Sequence, residues 1–464
     1  MSDFTPFREK MQAAEVSEAA IRAFERVYQA LLRDESGIIT EQDIVPCQSV
    51  PNLDDVVNHG EEFSPELLAQ TVVIKLNGGL GTSMGLQKAK SLLAVRGRAT
   101  FLDIMAEQIL HLREQTGAKV RFLLMDSFNT SEDTMEHMET YSDQGLSGAE
   151  NIELMQNQAP KIDAASLEPV TWEKNPSLEW CPPGHGDLYA ALEGSGWLDK
   201  LLADGVKYAF VSNSDNLGAV LDGGLLRYFA ESEKPFLMEA TRRTEADKKG
   251  GHLAVRKVDN QMLLREVAQT ADEDLADFQN IEKHQYFNTN SLWVRLDVLK
   301  ELLNQSNGVL SLPMIQNKKT VDPRDKNSTP VYQLEIAMGA AIESFPGSAA
   351  VCVPRSRFAP VKTTSDLFAL RSDAYEETED GRIALLTSRN GKPPVIDLSD
   401  EYKMVDSLEG LGMPSLLKAE KLTVSGPVRF ADGVTIVGSV SFTNESGETK
   451  WVAGGTYKDE DIIL

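Results

Sequence analysis

Apolar residues along this chain alternate between strand-like runs and helix-like stripes. Three short apolar runs predict buried strands: residues 72–74, 121–125 and 208–211. Between the first two runs, apolar residues from Leu102 to Leu112 recur at helical spacing and predict a helix that ends near Gly117. A second helix is predicted to begin at Ser131. This alternation is typical of a parallel, doubly wound α/β sheet, which binds ligands beyond the carboxyl ends of its strands.

The two ends of the chain follow other patterns. Near the N-terminus, apolar residues at helical spacing predict a helical segment with a packing role: Ile21, Phe24, Tyr28, Leu31 and Leu32. Near the C-terminus, two apolar series repeat every six residues: Leu422, Val428, Val434 and Val440, and Val424, Phe430, Ile436 and Phe442. With glycines 426, 433 and 438 at the turns, these series predict a short left-handed or related β-helix.

The block between residues 232 and 345 has a mixed pattern. Residues 236–238 predict a strand, and residues 253–255 and 262–264 predict a hairpin around Asp259 and Asn260. Residues 286–294 predict another strand, and residues 333–341 predict a helix.

Composition restricts the partners. The chain has 464 residues, which favours two or three domains, and a formal net charge of −25. Such a charge argues against nucleic acid or an anionic membrane as partner, and an anionic substrate would need a locally basic site or a divalent metal. The three cysteines are far apart, which fits a reducing compartment. Because no apolar run has the length of a signal peptide or a membrane span, we expect a cytoplasmic protein.

A glycine-rich stretch follows the strand at residues 72–74. Gly78, Gly79, Gly81 and Gly85 precede Lys90, and glycines let backbone N–H groups approach an anion closely. A Walker loop needs glycine directly before the lysine, and a dinucleotide fingerprint needs a third glycine where Met84 stands, so neither motif matches. The stretch nevertheless predicts a nucleotide-phosphate site, against the alternative of a tight turn without a ligand.

Two further residues suggest chemistry. Asp215 follows the strand at residues 208–211, where a carboxylate could bind Mg²⁺ or merely form an Asx-rich turn. His185 lies in a rigid loop of prolines and glycines, and a lone histidine is more often structural than functional. No second histidine lies nearby, which argues against a zinc site at this loop.

Six segments in matching order resemble the UTP–glucose-1-phosphate uridylyltransferases of the eukaryotic-like type. They are LNGGLGTSMG with the following KS, PPGHGDLY, VSNSDNLGA, REVAQ with FNTNS, QLEIAMGAAI, and VPRSRFAPVKTTSDL. The resemblance implies a doubly wound mixed sheet of the nucleotidyltransferase (GT-A-like) type. The resemblance spans roughly residues 65 to 464 and implies a catalytic domain at 66–395 and a left-handed β-helix at 396–464. The preceding residues, 1–65, are assigned as the helical N-terminal segment from their own apolar spacing. Such β-helices serve oligomerisation in some members, so the resemblance leaves a homo-oligomer open.

The resemblance also assigns roles to residues of this sequence. It implies that Lys90 and Lys362 are catalytic and that Asp215 binds Mg²⁺. The residues implied to bind UTP are Leu76, Asn77, Gly78, Gly79, Lys90, Gln156, Gly184, Asp215 and Lys362. Those implied to bind the sugar phosphate are Gly79, His185, Asn213, Ser214, Asp215, Glu266, Asn288 and Asn290. One departure concerns uracil recognition by Gln156, because residues 159–161 are Ala-Pro-Lys where the family commonly has Tyr-Pro-Arg.

The implied reaction forms UDP-glucose and pyrophosphate from UTP and α-D-glucose 1-phosphate, by in-line attack without a covalent enzyme intermediate. The two lysines and Mg²⁺ would then offset the phosphate charge in this acidic chain. Two alternatives remain at this stage. One is a pyrophosphorylase acting on other sugar 1-phosphates, such as those of galactose or N-acetylglucosamine. The other is a non-catalytic UDP-sugar-binding protein with the same fold.

Overall fold

The computed structural model describes residues 3–35, 37–57, 63–379 and 381–464. Its helices are α1 (Thr5–Ala13), α2 (Glu18–Leu32), α3 (Leu53–Val56), α4 (Pro65–Ala69), α5 (Phe101–Thr116), α6 (Ser131–Met138), α7 (Ala149–Ile152), α8 (Leu188–Gly194), α9 (Trp197–Ala203), α10 (Gly223–Glu231), α11 (Leu275–Phe278), α12 (Leu296–Gln305), α13 (Thr364–Arg371) and α14 (Val405–Glu409).

Its strands as far as residue 352 are β1 (Ile44–Pro46), β2 (Thr71–Leu76), β3 (Ala94–Arg96), β4 (Ala99–Thr100), β5 (Arg121–Asp126), β6 (Glu153–Met155), β7 (Ala159–Pro160), β8 (Ile162–Asp163), β9 (Trp180–Cys181), β10 (Tyr208–Asn213), β11 (Phe236–Arg242), β12 (His252–Arg256), β13 (Met262–Arg265), β14 (Tyr286–Arg295), β15 (Met314–Thr320), β16 (Pro330–Ile336) and β17 (Ala349–Cys352). The remaining strands are β18 (Tyr375–Glu377), β19 (Ile383–Leu385), β20 (Val395–Leu398), β21 (Ser415–Ser425), β22 (Val428–Phe430), β23 (Val434–Thr443), β24 (Lys450–Val452), β25 (Gly455–Lys458) and β26 (Asp461–Ile463).

The largest sheet is mixed, and it confirms the predicted α/β class. Its strands lie in the order β1-β12-β14-β10-β2-β5-β6, and β11 pairs with β14 and β17. The predicted parallel arrangement is found for β10, β2, β5 and β6, whereas β14 runs antiparallel to β10 and β11. The carboxyl ends of β2, β5 and β10 therefore meet at one edge of the sheet.

Helices cover both faces of this sheet. Alternate side chains of β2 point to opposite faces, so Val73 packs with α5, α10 and α13, while Val72 and Ile74 pack with α8, α9 and α12. The core on the α5 side continues without a break into the C-terminal strands. Helix α5 ends at Gly117 in the left-handed conformation, as the sequence predicted.

The N-terminal helices form a small core of their own. Ile21, Phe24 and Tyr28 on α2 are buried, as their spacing predicted, and they pack with Phe4 and Phe7. This core includes Ala159 and Cys181, so the helices lie against the short strands β7 and β9.

The prediction of a helix at residues 333–341 is wrong. Residues 330–336 form strand β16, which pairs antiparallel with β15 over its whole length and also with β8. A short 3₁₀ helix, Met338–Glu343, follows it. Cross-strand hydrogen bonds and the burial of Val331 and Leu334 outweigh the local helical preference of this segment. The predicted hairpin around Asn260 is present as β12 and β13.

The C-terminal strands are parallel and stacked. Leu422 of β21 lies opposite Val440 of β23, and Val424 lies opposite Phe442. All eight residues of the two six-residue series are buried, because successive turns of the chain place them above one another. Along the part of the chain that the structure describes, no helix is long and apolar enough to cross a membrane.

Candidate active site

A pocket opens at the carboxyl ends of β2 and β10. These strands pair in parallel with Leu76 opposite Asn213, and Ser214 N donates to Leu76 O at 3.1 Å. The cavity measures about 310 Å³. Its walls contain ten of the residues that the sequence predicted for the site: Leu76, Gly78, Gly79, Lys90, Gln156, Gly184, His185, Asn213, Ser214 and Asp215. Met125 and Pro182 also line it and were not predicted, because an apolar residue at a strand end and a loop proline carry no distinct signal in a sequence.

The glycine-rich loop forms one wall of the pocket. Gly81 has φ = 60°, a left-handed conformation that glycine adopts without strain, and a Cβ there would lie 2.8 Å from Leu86 Cδ1. A Cβ at Gly79 would meet open space. The loop closes on itself where Lys90 N donates to Gly79 O at 3.0 Å. Because the chain reverses direction within this loop, Lys90 lies next to the glycines that precede it.

Lys90 and Asp215 meet across the pocket. Lys90 Nζ lies 2.6 Å from Asp215 Oδ2, and the two side chains are 15% and 21% exposed. Asp215 Oδ1 is buried and has no hydrogen-bond partner among the described residues. This oxygen retains free lone pairs on a residue that lines the pocket, which suits a hard cation such as Mg²⁺. No group of three or more His, Cys, Asp or Glu residues in the described ranges could hold a metal ion by itself.

Gln156 lies over the glycine loop. Its Nε2 donates to Gly184 O at 3.0 Å, and its backbone N donates to Asp126 O at 2.7 Å. A Cβ at Gly78 would lie 2.9 Å from Gln156 Oε1, so the loop needs glycine at that position for the amide to approach. The unusual Lys161 points elsewhere: its buried Nζ donates to Val321 O. The departure at residues 159–161 therefore leaves Gln156 in the pocket wall.

His185 is held as a neutral ring. Met338 N donates to its Nδ1 at 3.0 Å, which leaves the ring proton on Nε2 as a donor. Burial lowers the pKa of His185 to about 4. The preceding Gly184 has φ = 81°, and a Cβ there would lie 2.5 Å from Ile336 O. Close packing against β16 thus fixes the loop that presents this imidazole.

The side chain of Asn77 does not line the pocket. Its Nδ2 donates to Asp126 Oδ1 at 2.7 Å and to Thr134 Oγ1 at 3.0 Å, and it is buried. Burial raises the pKa of Asp126 to about 8. Asn77 therefore ties the start of the glycine loop to the end of β5.

Three of the residues predicted to bind the sugar phosphate, Glu266, Asn288 and Asn290, form a second cluster outside the walls of this cavity. Asn288 Nδ2 donates to Asn290 Oδ1 at 2.8 Å, and Asn290 N donates to Asn288 Oδ1 at 2.9 Å. Asn290 has φ = 59°, at a β-bulge where the register of β14 against β11 shifts. A Cβ at Gly251 would lie 2.5 Å from Glu266 Oε1, and Asn288 N donates to Gly251 O. The amides of Asn288 and Asn290 and the carboxylate of Glu266 therefore lie close to Gly251 and the bulge of β14.

Lys362 connects this second cluster with the pocket. Its side chain is exposed, and its charge counteracts the burial that raises the pKa of Glu266. The preceding residue, Val361, donates its N–H to Asp215 O at 3.0 Å. The segment that carries Lys362 therefore lies directly beside the loop that carries Asp215.

A buried ion pair anchors that segment and was not predicted. Arg357 binds both carboxylate oxygens of Glu239, and Trp293 Nε1 donates to the same carboxylate. Asn216 Nδ2 donates to Arg357 O at 3.1 Å. No sequence signal could have paired Arg357 with Glu239, which is 118 residues away. Arg357 is therefore a structural cation, and Arg355 binds Asp247.

The mixed sheet, the glycine loop and the lysine–carboxylate pair at the strand ends define an α/β protein of the nucleotide-binding class. Residues 21–437 match the family of UTP–glucose-1-phosphate uridylyltransferases, which are nucleotidyltransferases, and the chain belongs to that family. It is 40% identical over 415 residues to the UTP–glucose-1-phosphate uridylyltransferase of Solanum tuberosum, covering 88% of this chain and 83% of that one. It is 40% identical over 423 residues to that of Saccharomyces cerevisiae, covering 89% and 82%.

Solved structures agree with the family. The chain is similar to a UDP-glucose phosphorylase from Trypanosoma brucei with 49% identity and a TM-score of 0.90, covering 99% of both chains. It is similar to UDP-glucose pyrophosphorylase from Leishmania major with 45% identity and a TM-score of 0.94, covering 100% of both. A mutant of the latter protein was solved in complex with UDP-glucose, and this chain matches it with 44% identity and a TM-score of 0.93 over all of both chains.

Proposed function

We propose that this protein transfers the uridylyl group of UTP to α-D-glucose 1-phosphate, forming UDP-glucose and pyrophosphate. The observation that carries the proposal is the Lys90–Asp215 pair beside the glycine loop, at 2.6 Å and mostly shielded from water. The family to which the chain belongs supports the same reaction. The family match favours catalysis over a protein that only binds UDP-sugars, because the glycine loop, both lysines and Asp215 are all present.

The reaction needs no nucleophile from the protein. A phosphate oxygen of glucose 1-phosphate attacks the α-phosphorus of UTP in line and forms a new P–O bond. The bond between the α-phosphorus and the oxygen that bridges it to the β-phosphorus breaks, and pyrophosphate leaves with that oxygen. The chain's contribution is then positioning and charge stabilisation. N–H groups of the Gly78–Gly79 turn face the triphosphate, and Lys90 Nζ neutralises charge that develops on it.

The sugar phosphate lies on the other side of the pocket in this proposal. Nε2–H of the neutral His185 donates to a phosphate oxygen, and Asn213 and Ser214 bind the same group from the end of β10. Glu266, Asn288 and Asn290 bind hydroxyl groups of the glucose. Lys362, beside Glu266 and the Asp215 loop, stabilises the α-phosphoryl group during transfer.

We also propose a Mg²⁺ ion at Asp215, supported by the buried Oδ1 that lacks a partner among the described residues. When bound there, Mg²⁺ would neutralise phosphate charge and so help to bring two anionic substrates together. Lys90 would keep Asp215 oriented before the ion and nucleotide arrive, since its Nζ holds the other carboxylate oxygen.

The base end of the pocket is proposed to read uracil through the amide of Gln156. Leu76 and Gly184 line the same pocket, and Gly184 O fixes one end of the amide. An amide can both donate and accept, as the Watson–Crick edge of uracil requires.

The decisive experiment measures pyrophosphate release from purified protein with UTP, Mg²⁺ and a panel of sugar 1-phosphates. We expect release with glucose 1-phosphate far above release with the galactose and N-acetylglucosamine analogues, and loss of release on adding EDTA. Comparable rates across the panel would refute glucose specificity but keep the transfer reaction. Absence of release with every sugar would refute the enzymatic proposal.

The remaining parts of the chain are assigned as follows in this proposal. The described part of residues 1–65 is assigned as a mainly helical segment, although its strand β1 joins the large sheet. Residues 66–395 are assigned as the catalytic domain and residues 396–464 as a left-handed β-helix, supported by the parallel pairing of β21 and β23. Exposed Trp451 and Ile463 on its last strands support self-association, which sedimentation velocity tests directly. A cytoplasmic location is supported by three free, buried cysteines.

A further inference from the structure

A buried carboxylate beside the pocket has an unusual set of partners. Asp187 is 2% exposed, and both of its oxygens bind Asn157: Oδ2 accepts from Asn157 N at 2.7 Å, and Asn157 Nδ2 lies 3.0 Å from each oxygen. Asp187 precedes α8, where a carboxylate commonly caps a helix, but its side chain makes no capping hydrogen bond. No cation pairs with it among the described residues, and burial raises its pKa to about 6.

Burying a carboxylate without a cation is costly, so Asp187 adds little net stability and suits a positioning role. Asp187 and Asn157 join two segments of the pocket wall. Asn157 is the neighbour of Gln156, and Asp187 follows Gly184 by three residues. The other amide atom of Asn157, Oδ1, lies 3.4 Å from Ser17 Oγ at the start of α2. Its amide is therefore held from both ends.

The orientation of the Gln156 amide depends on this junction. Gln156 Nε2 donates to Gly184 O, which leaves Oε1 without a donor among the described residues and directs it over Gly78. A fixed acceptor suits N3–H of uracil and repels the N3 lone pair of cytosine. If Gly184 moved relative to Gln156, the amide could turn over and present its donor instead.

We infer that the Asp187–Asn157 pair is a positioning device for base selection, which holds Gly184 O where it fixes the Gln156 amide as an acceptor for uracil. This inference rests on the proposed role of Gln156 in reading the base. Asp187 touches neither substrate in this view and acts only through Asn157, Gly184 and Gln156. Merely structural residues would lower stability without changing the ratio of UTP to CTP affinity.

The test measures Kd for UTP and for CTP by titration calorimetry, together with kcat and KM for both nucleotides. We expect Asp187→Asn and Asn157→Asp each to reduce the preference for UTP over CTP at least ~10-fold, the equivalent of one hydrogen bond to the base. The double substitution Asp187→Asn/Asn157→Asp exchanges donor and acceptor and should restore most of the preference. Because Asp187→Asn and Asn157→Asp change different residues of the same pair, the nucleotide preference can still be measured on one variant if the other does not fold.

Two comparisons separate the possible outcomes. Gln156→Leu must itself reduce the UTP preference; if it does not, the proposed reading of uracil by Gln156 is wrong, and the inference is wrong with it. If Gln156→Leu reduces the preference but the Asp187 and Asn157 variants leave it unchanged, only the inference is overturned. Asp103→Asn is the matched control, since Asp103 also accepts several hydrogen bonds but all from residues outside the pocket, Thr100, His137 and Tyr141. It should lower Tm without altering the ratio.

Discussion

Replacing Lys90 by methionine tests the core of the proposed mechanism. The change keeps most of the length of the side chain and removes its charge. A preorganised charge donor at the transition state is typically worth a factor of ~100–1000 in kcat, so we expect a loss of at least ~100-fold. The Lys90–Asp215 pair is 15% and 21% exposed, between a surface pair and a fully buried one. Its loss should therefore reduce the free energy of unfolding by about 1–2 kcal/mol, which leaves the protein folded.

The assay follows pyrophosphate release at saturating UTP and glucose 1-phosphate, with circular dichroism and Tm recorded on the same samples. Lys88→Met is the matched control, because it makes the same change two residues earlier. Lys88 is 69% exposed and lies 3.5 Å from Asp133 Oδ1, so its loss should alter kcat by less than about twofold. Turnover by Lys90→Met close to that of Lys88→Met, with both variants folded, would refute the reasoning.

Three other substitutions probe the rest of the site. Lys362→Ala should reduce kcat at least ~100-fold, because it removes a charge proposed to stabilise the α-phosphoryl group, and it should change Tm little because the side chain is exposed. Lys392→Ala removes another exposed lysine and should leave kcat unchanged. Equal kcat values for the two variants would contradict the role of Lys362. Gly184→Ala places a methyl group 2.5 Å from Ile336 O at a φ of 81°, so we expect a lower Tm and a raised KM for both substrates. The pKa of His185 falls from 6.5 to about 4 on folding, so the unfolded chain takes up this proton first as pH falls. The free energy of unfolding therefore decreases as pH falls from about 6.5 to 4. Urea unfolding at a series of pH values measures this decrease, and His185→Gln should make it smaller. An unchanged pH dependence in His185→Gln would argue against a neutral ring.

Much of the pocket could be predicted from the sequence because its determinants are local. Glycines that follow an apolar run, a lysine beyond them and an aspartate after another strand lie within short stretches. Parallel strands then bring such residues together, because their carboxyl ends share one edge of the sheet. The structure places Lys90 and Asp215 in contact for that reason.

Features that depend on pairing between different segments of the chain could not be predicted. Residues 333–341 have a helical apolar spacing, but pairing with β15 makes their first part a strand. The resemblance implies that Asn77 binds UTP, yet its side chain donates to Asp126 on a neighbouring strand. The partner of Arg357 is likewise set by the topology of the sheet. In each case a contact with another segment of the chain, which the local pattern does not encode, decides the outcome.

The hydrogen bond from Asn216 to Arg357 O spans 141 residues and has a consequence for the order in which the protein matures. Chain synthesis proceeds at about 5–20 residues per second, so roughly 7 to 30 seconds separate the emergence of these two residues. During that interval β2, β5 and β10 can already pair, while the loop of Asp215 still lacks the backbone that braces it. A nascent chain would therefore carry the glycine loop well before it could hold the triphosphate productively, and activity would appear only after the later segment has docked.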